Sequence, residues 1–427
     1  MKKKFLLFVF NLIVVAACFA THNRAGEITY RRIFDANNPN SFKYEFTVTT
    51  YTRIPGSATN VDRCELEINW GDGTLDTIVR VNGPPSGSCP HEGDVVGNDI
   101  KKNVYIGIHT FNGASCYIVS VTDPNRNASV INIPNSINVS FYIESQMCIN
   151  PFLGFNNTSP ALLNPPIDNA CICKKFVHNP GAYDADGDSL SYELIDCKGE
   201  QGIPIQGYTL PPGVTINAYT GDMIWDCPNP IGEFNFAILI KEWRGGSIIG
   251  TVERDLQVTV SGACQNDPPV INALHDTCVV AGSSLAFNVI AKDINQNDII
   301  SLTSTGGVYS LASNKAVFPQ PITGFNMVTG QFTWTTNCSH VRLQPYQVLF
   351  KAEDNDVNAL ADIKTINIQV IAPAPKNLIT TPTGSSIKLD WQPEVCSNAI
   401  GYKIYRRNSP SGFVPGNCIT EIGRAHV

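Results

Sequence analysis

The sequence predicts an all-β protein, a tandem array of Ig-like β-sandwich domains behind a signal peptide. Three observations carry that prediction. The first is a repeated phrase: Thr220-Gly221-Asp222-Met223-Ile224-Trp225 returns as Thr329-Gly330-Gln331-Phe332-Thr333-Trp334, 109 residues later. Ala182-Tyr183-Asp184-Ala185-Asp186 aligns with Ala291-Lys292-Asp293-Ile294-Asn295 at the same offset, and Phe236 to Glu242 is echoed by Gln347 to Glu353 with a small drift. A period near 100 residues is the size of one β-sandwich, so it marks tandem domains rather than a short-repeat solenoid. The second is Tyr44 to Thr52, which alternates apolar or aromatic with polar side chains as a half-buried strand does. The third is turn chemistry, Pro-Gly, Asn-Gly, Asp-Gly and Pro-Pro, recurring at the short spacing of an all-β chain. No window of a dozen residues shows helical periodicity.

Residues 1–20 read as a targeting signal. Met1-Lys2-Lys3-Lys4 is a basic start, and Phe5 to Phe19 is apolar except for Asn11. That run is too short to span a bilayer but suits a secretory signal. Cys18 and Ala20 supply small residues for cleavage, which puts the mature start near Thr21. The alternative takes Val15-Ala16-Ala17-Cys18 as a lipoprotein box with Cys18 acylated. Fourteen cysteines suit an oxidising compartment, and setting Cys18 aside leaves an odd number. The formal charge of −7 provides no basic stripe for nucleic acid.

Four segments follow. In the first, 21–155, Ile68-Asn69-Trp70-Gly71-Asp72-Gly73-Thr74 precedes His109-Thr110-Phe111-Asn112-Gly113 and Tyr117-Ile118-Val119-Ser120-Val121. These phrases resemble the PKD domain, an Ig-like sandwich. Trp70 ends a strand, the glycines permit a tight turn, and Asp72 bonds amides within it. Asp72 as a catalytic acid lacks a partner. The second and third segments, 156–262 and 266–372, are the repeated pair and resemble cadherin-like domains of bacterial surface proteins. That resemblance implies a hairpin turn at each Thr-Gly and a Trp packed between the sheets. After the proline hinge at 372–375 comes 373–421. Ile387-Lys388-Leu389-Asp390-Trp391 and Gly401-Tyr402-Lys403-Ile404-Tyr405 there resemble the first half of a fibronectin type III domain. The run 422–427 matches what one reading frame of a sequencing-adapter oligonucleotide encodes, so a truncated fourth domain is expected. Trp70, Trp225, Trp334 and Trp391 are expected in four separate cores, with Trp243 at a hairpin tip.

Asp184, Asp186 and Asp188 place carboxylates at alternate positions around Gly187, a pattern that converges on Ca²⁺ or forms a self-bonded acidic turn. Position twelve is Ile195, which argues against an EF-hand. Asp293, Asn295, Asn297 and Asp298 form a weaker calcium candidate, with Asp354 and Asp356 available from a neighbouring strand. Cys171-Ile172-Cys173 reads as disulfide-forming rather than zinc-binding. Cys64, Cys89, Cys116 and Cys148 are expected to pair within the first segment, and Cys278 with Cys338 in the third. No Gly-x-Ser-x-Gly, His-Glu-x-x-His or phosphate-loop pattern is present, so no catalytic residue is expected.

The mature start, Thr21-His22-Asn23-Arg24-Ala25-Gly26-Glu27-Ile28-Thr29-Tyr30, together with the order of the segments, resembles large Bacteroidetes surface proteins that end in a gliding-motility-associated C-terminal domain. The resemblance implies export to the outer face of the outer membrane by type IX secretion machinery. It also implies a non-catalytic adhesion or scaffold role toward an extracellular glycan or protein. The alternative is the accessory arm of a large secreted hydrolase.

Overall fold

The computed structural model describes residues 23–404, apart from residues 40, 55–62, 86–88, 97–99, 125, 155, 263, 296, 393–395, 399–400 and 403. The signal segment, Cys18, Thr21, Tyr405 and the 422–427 run lie outside the described residues. The chain is all-β, built from Ig-like sandwiches in tandem; helical residues among those described are confined to short 3₁₀ turns such as Ser136–Asn138. No helix among the described residues is long and apolar enough to cross a membrane.

The first sandwich packs Asn23–Arg32, Phe42–Arg53 and Ile100–Phe111 against Leu75–Val79, Glu65–Asn69, Cys116–Asp123 and Phe141–Cys148. Its core centres on Trp70, Phe46, Tyr44 and Phe111. Trp70 is 5.4 Å from Phe46 and stacks on His109 at 4.7 Å. Asp72 behaves as a turn residue: its Oδ1 accepts from the Thr74 N–H at 3.0 Å, and its Oδ2 lies 2.8 Å from His109 Nε2. Those bonds outweigh burial and hold the Asp72 carboxyl below its ordinary range. Gly71, at φ +77°, cannot be replaced without collision, because a Cβ there would sit 2.4 Å from the Ile118 carbonyl oxygen.

The second sandwich is not a separate bead. Its longest strand, Ser247–Ser261, pairs along one edge with Gly232–Arg244. Its other edge meets three partners in succession: Phe141–Cys148 at residues 250–252, Asn23–Arg32 at 254–255, and Ile167–Cys171 at 257–261. One twelve-stranded sheet therefore runs through both segments. This explains why Phe42–Arg53 alternates in burial only as far as Val48, while Thr49, Thr50, Tyr51 and Thr52 are all buried. Glu253, Arg254 and Asp255, three charges in a row, are wholly buried where the segments join.

The repeat keeps its register in sequence and is inexact in structure. Thr220-Gly221 forms a turn, with Asn217 Oδ1 accepting from the Tyr219 and Thr220 N–H groups and Gly221 at φ +78°. Thr329-Gly330 corrects the expectation of a second hairpin turn, for it lies inside the strand Met327–Thr335. Gly330 faces the core there, and a Cβ would meet Phe318 at 2.4 Å. The Trp positions do correspond. Trp225 and Trp334 are buried, and each indole N–H reaches a loop carbonyl, Pro212 at 3.2 Å and Asn314 at 2.9 Å.

The last described strands, Lys376–Thr383 and Ser386–Gln392, form an isolated hairpin exposed along most of its length. Trp391 is only half-buried, 5.3 Å from Tyr402, so its expected deep burial is not found among the described residues. Trp243 adjoins the hairpin tip, whose turn is Gly245-Gly246, and is half-buried, donating to Ser191 Oγ at 2.8 Å.

The disulfides are Cys64–Cys89, Cys116–Cys148, Cys171–Cys264, Cys173–Cys227 and Cys338–Cys396, as an exported chain in an oxidising compartment carries them. Cys338 thus pairs with Cys396 and not with Cys278, which is itself disulfide-bonded. Loop geometry decides this, since the turn at Cys338–His340 faces the connection after the exposed hairpin, where Asn398 donates to the Cys338 and Val341 carbonyls. Limited proteolysis should cut first near residues 373–376. The released piece should stay attached on a non-reducing gel and separate on a reducing one. Release without reductant would contradict the Cys338–Cys396 bond.

Candidate functional site

The alternating acidic loop of the second sandwich lies between Ala182–Tyr183 and Ser189–Ile195. Gly187, at φ +87°, bends it so that Asp184, Asp186 and Asp188 bring one oxygen each within 4.8 Å of one another. Asp184 and Asp188 are buried and Asp186 is exposed. Asp184 Oδ1 accepts from the Asp188 N–H, and Asp186 Oδ2 from the Thr158 N–H, both at 2.8 Å.

Two neighbours escaped the sequence reading. Glu242, wholly buried on Gly232–Arg244, lies against Asp184 and accepts from Asn157 Nδ2 at 2.8 Å. Arg244 forks onto Asp188, with its Nε 2.8 Å from Oδ1 and a second bond from the guanidinium to Oδ2. The signal was present in Lys241-Glu242-Trp243-Arg244, but inward and outward charges along a strand look alike without the sheet pairing.

Asp184 Oδ2 and Glu242 Oε1 are buried and take no N–H or hydroxyl donor among the described residues. Burial pushes both carboxyls above their ordinary range, and the charge of Asp184 raises Glu242 further, up to about 10. The unfolded carboxyls ionise at about pH 4, whereas the raised folded ones take up a proton at higher pH. The folded state therefore holds more protons, and stability falls as pH rises above the ordinary carboxylate range. Glu242→Gln, measured in chelator, should flatten the decline in melting temperature between pH 5 and pH 9. An unchanged slope would show that the pair ionises normally.

The donor set fits a hard cation. Ca²⁺ takes about six to eight oxygens; Asp184, Asp186 and Asp188 bring three carboxylates together, and Glu242 lies against Asp184, each of these two with an orphaned buried oxygen. Arg244 would have to release Asp188 for all four to ligate.

The second acidic group is assembled differently from its sequence order. Asp293 Oδ1 accepts from the Asn295 N–H at 2.8 Å, and Asn295 Oδ1 from the Asp267 N–H at 3.1 Å. Asp354 accepts from Asn266 Nδ2 at 2.7 Å and from the Asp356 N–H at 3.0 Å. Asn266 Oδ1 and Asp293 Oδ2 are buried without a partner among the described residues. Asn297 is exposed, and Asp298 caps the turn by donating its N–H to the Asn295 carbonyl at 3.2 Å. Asn266 and Asp267, on the connection between sandwiches, were not anticipated.

No protein-family model matches the chain, and no curated protein does. Solved structures with similar elements include tandem Ig repeats of Dlar, at 10% identity over 50% of this chain and 99% of that one, TM-score 0.23. The I-band fragment I67-I69 from titin matches at 10% identity over 76% of this chain and 92% of that one, TM-score 0.18. A sialic acid binding region of a Streptococcus sanguinis SK1 adhesin matches at 11% identity over 52% and 81%, TM-score 0.20. At these scores the likeness is to sandwich architecture and carries nothing about ligands.

Proposed function

We propose that this protein is an exported surface protein with a non-catalytic adhesion or scaffold role, presenting sandwich faces to an extracellular glycan or protein. The supporting observation is the join between the first two sandwiches. A shared sheet and buried ion pairs make a stiff body, which suits a spacer that holds a contact surface away from the cell. Beads coated with the full chain should adhere to cell layers or extracellular matrix more than albumin-coated beads. Equal adhesion would remove the reading. Delivery by an outer-membrane secretion system remains an inference from the resemblance of the mature start.

Calcium is proposed as a stabilising ligand of the Asp184, Asp186, Asp188 and Glu242 site, with a second site at Asp293, Asn295 and Asp354. A ligand bound only by the folded state adds about 2.7 kcal/mol at 100 times its dissociation constant, and extracellular modules bind at about 10⁻⁴ to 10⁻³ M. Millimolar calcium should therefore raise the melting temperature by several degrees relative to chelator, and Asp186→Asn with Asp188→Asn should remove most of that shift. Identical melting in calcium and chelator would return the loop to a self-bonded acidic turn.

A further inference from the structure

The outer face of the first sandwich is hollowed into a groove of about 660 Å³, within the usual size of ligand pockets. Its floor is the sheet of Glu65–Asn69, Cys116–Asp123 and Phe141–Cys148, and its far wall is the turn Glu200–Gly202 from the second sandwich. The site therefore exists only because the two sandwiches are joined. That wall is held in place. Lys198 bonds Glu144 at 2.6 Å and Glu253 at 2.7 Å, Gln201 adopts φ +61°, and a Cβ on Gly202 would come within 3.0 Å of Tyr142 Oη.

We propose that this groove binds a neutral oligosaccharide, an inference that rests on the adhesive role and names its ligand class. Alternate residues of a strand face one side, about 6.8 Å apart, so Glu67 and Asn69, and Ser120 and Thr122, stand in adjacent rows across the floor. Sugar hydroxyls both donate and accept. Carboxylates supply acceptors, while the amides of Asn69 and Gln201 and the two hydroxyls supply both kinds. A basic peptide would gain its selectivity from charge, and of the three lining carboxylates Glu144 is already paired with Lys198, whereas each sugar hydroxyl can use acceptors and donors alike. Exposed Leu75 and Ile118 offer apolar surface for the C–H face of a sugar ring. No cation lines the groove among the described residues, and Lys198 beside it is already paired with two glutamates, so Glu67 and Glu200 disfavour anionic sugars.

The test is the full chain applied to an array of neutral and sialylated oligosaccharides, followed by titration of the best-retained neutral sugar. The expected result is retention of neutral sugars and rejection of sialylated ones. Ile118→Trp, at an exposed position, should fill the groove and weaken binding by about tenfold or more while leaving the melting temperature unchanged. Glu67→Gln with Asn69→Ala should weaken it similarly. The proposal is overturned if no neutral sugar is retained, or if Ile118→Trp binds as tightly as the parent. It is also overturned if polylysine, and not sugar, binds in a way that Glu67→Gln with Glu200→Gln abolishes. Beads that adhere while no sugar is retained would sink the groove and spare the adhesive role; loss of both would sink both.

Discussion

Arg254→Ala should destabilise the first two sandwiches together by about 3–5 kcal/mol, the usual cost of leaving one member of a buried ion pair alone. Arg254 is wholly buried, and its Nε and a terminal nitrogen each lie 2.9 Å from Glu27 Oε2, on a strand of the first sandwich. It also donates to the Asn164 carbonyl. Removing the guanidinium strands a carboxylate inside the join. Replacing both partners, Arg254→Met with Glu27→Leu, should recover most of the loss, because two apolar side chains leave no orphaned charge. Urea titration of the single and double variants measures this. A loss below about 1 kcal/mol, within the range of exposed pairs, would mean that the join is hydrated and loose.

Trp225→Ala should cost about 3–5 kcal/mol, as large-to-small changes at buried aromatics do. The ring meets Phe234 and Phe236 edge-on at 4.9 and 5.5 Å, and is fully buried. Its strand, Met223–Trp225, is short and pairs with Phe176–His178 and Val214–Ile216, and the ring is the largest side chain that this small sheet sends into the core beside Phe176, Val214 and Met223. Loss of the ring also orphans the Pro212 carbonyl. Trp391→Ala should cost far less, since Trp391 is half-buried on an exposed hairpin. Equal losses at Trp225 and Trp391, read from urea midpoints, would contradict this ranking.

The all-β class was legible because strand alternation and turn residues act locally, and Tyr44 to Val48 shows the alternation within five positions. Burial of Trp70, Trp225 and Trp334 was legible because a large apolar ring in a repeated strand phrase has one natural place to go. The join was not. Glu253-Arg254-Asp255 reads as a surface stretch until Glu27, Arg126 and Lys198, each far away in sequence, are brought beside it. The same distance effect hid Glu242 and Arg244 from the acidic loop, and Asn266 from Asp354. Thr329-Gly330 misled for the opposite reason: the local phrase matched, but Phe318 and Ile322 press on Gly330 and hold it in a strand.

The first two sandwiches form one cooperative unit through the strand Ser247–Ser261. Native-state hydrogen exchange in rising urea tests it most directly, because it assigns an opening free energy to each strand. Amides of Cys116–Asp123, in the first sandwich, and of Gly232–Arg244, in the second, should converge on one opening free energy. Arg254→Ala should lower both by the same amount. If either set opens on its own while the other stays protected, or if Arg254→Ala moves only one of them, the sandwiches are independent beads and the claim is wrong.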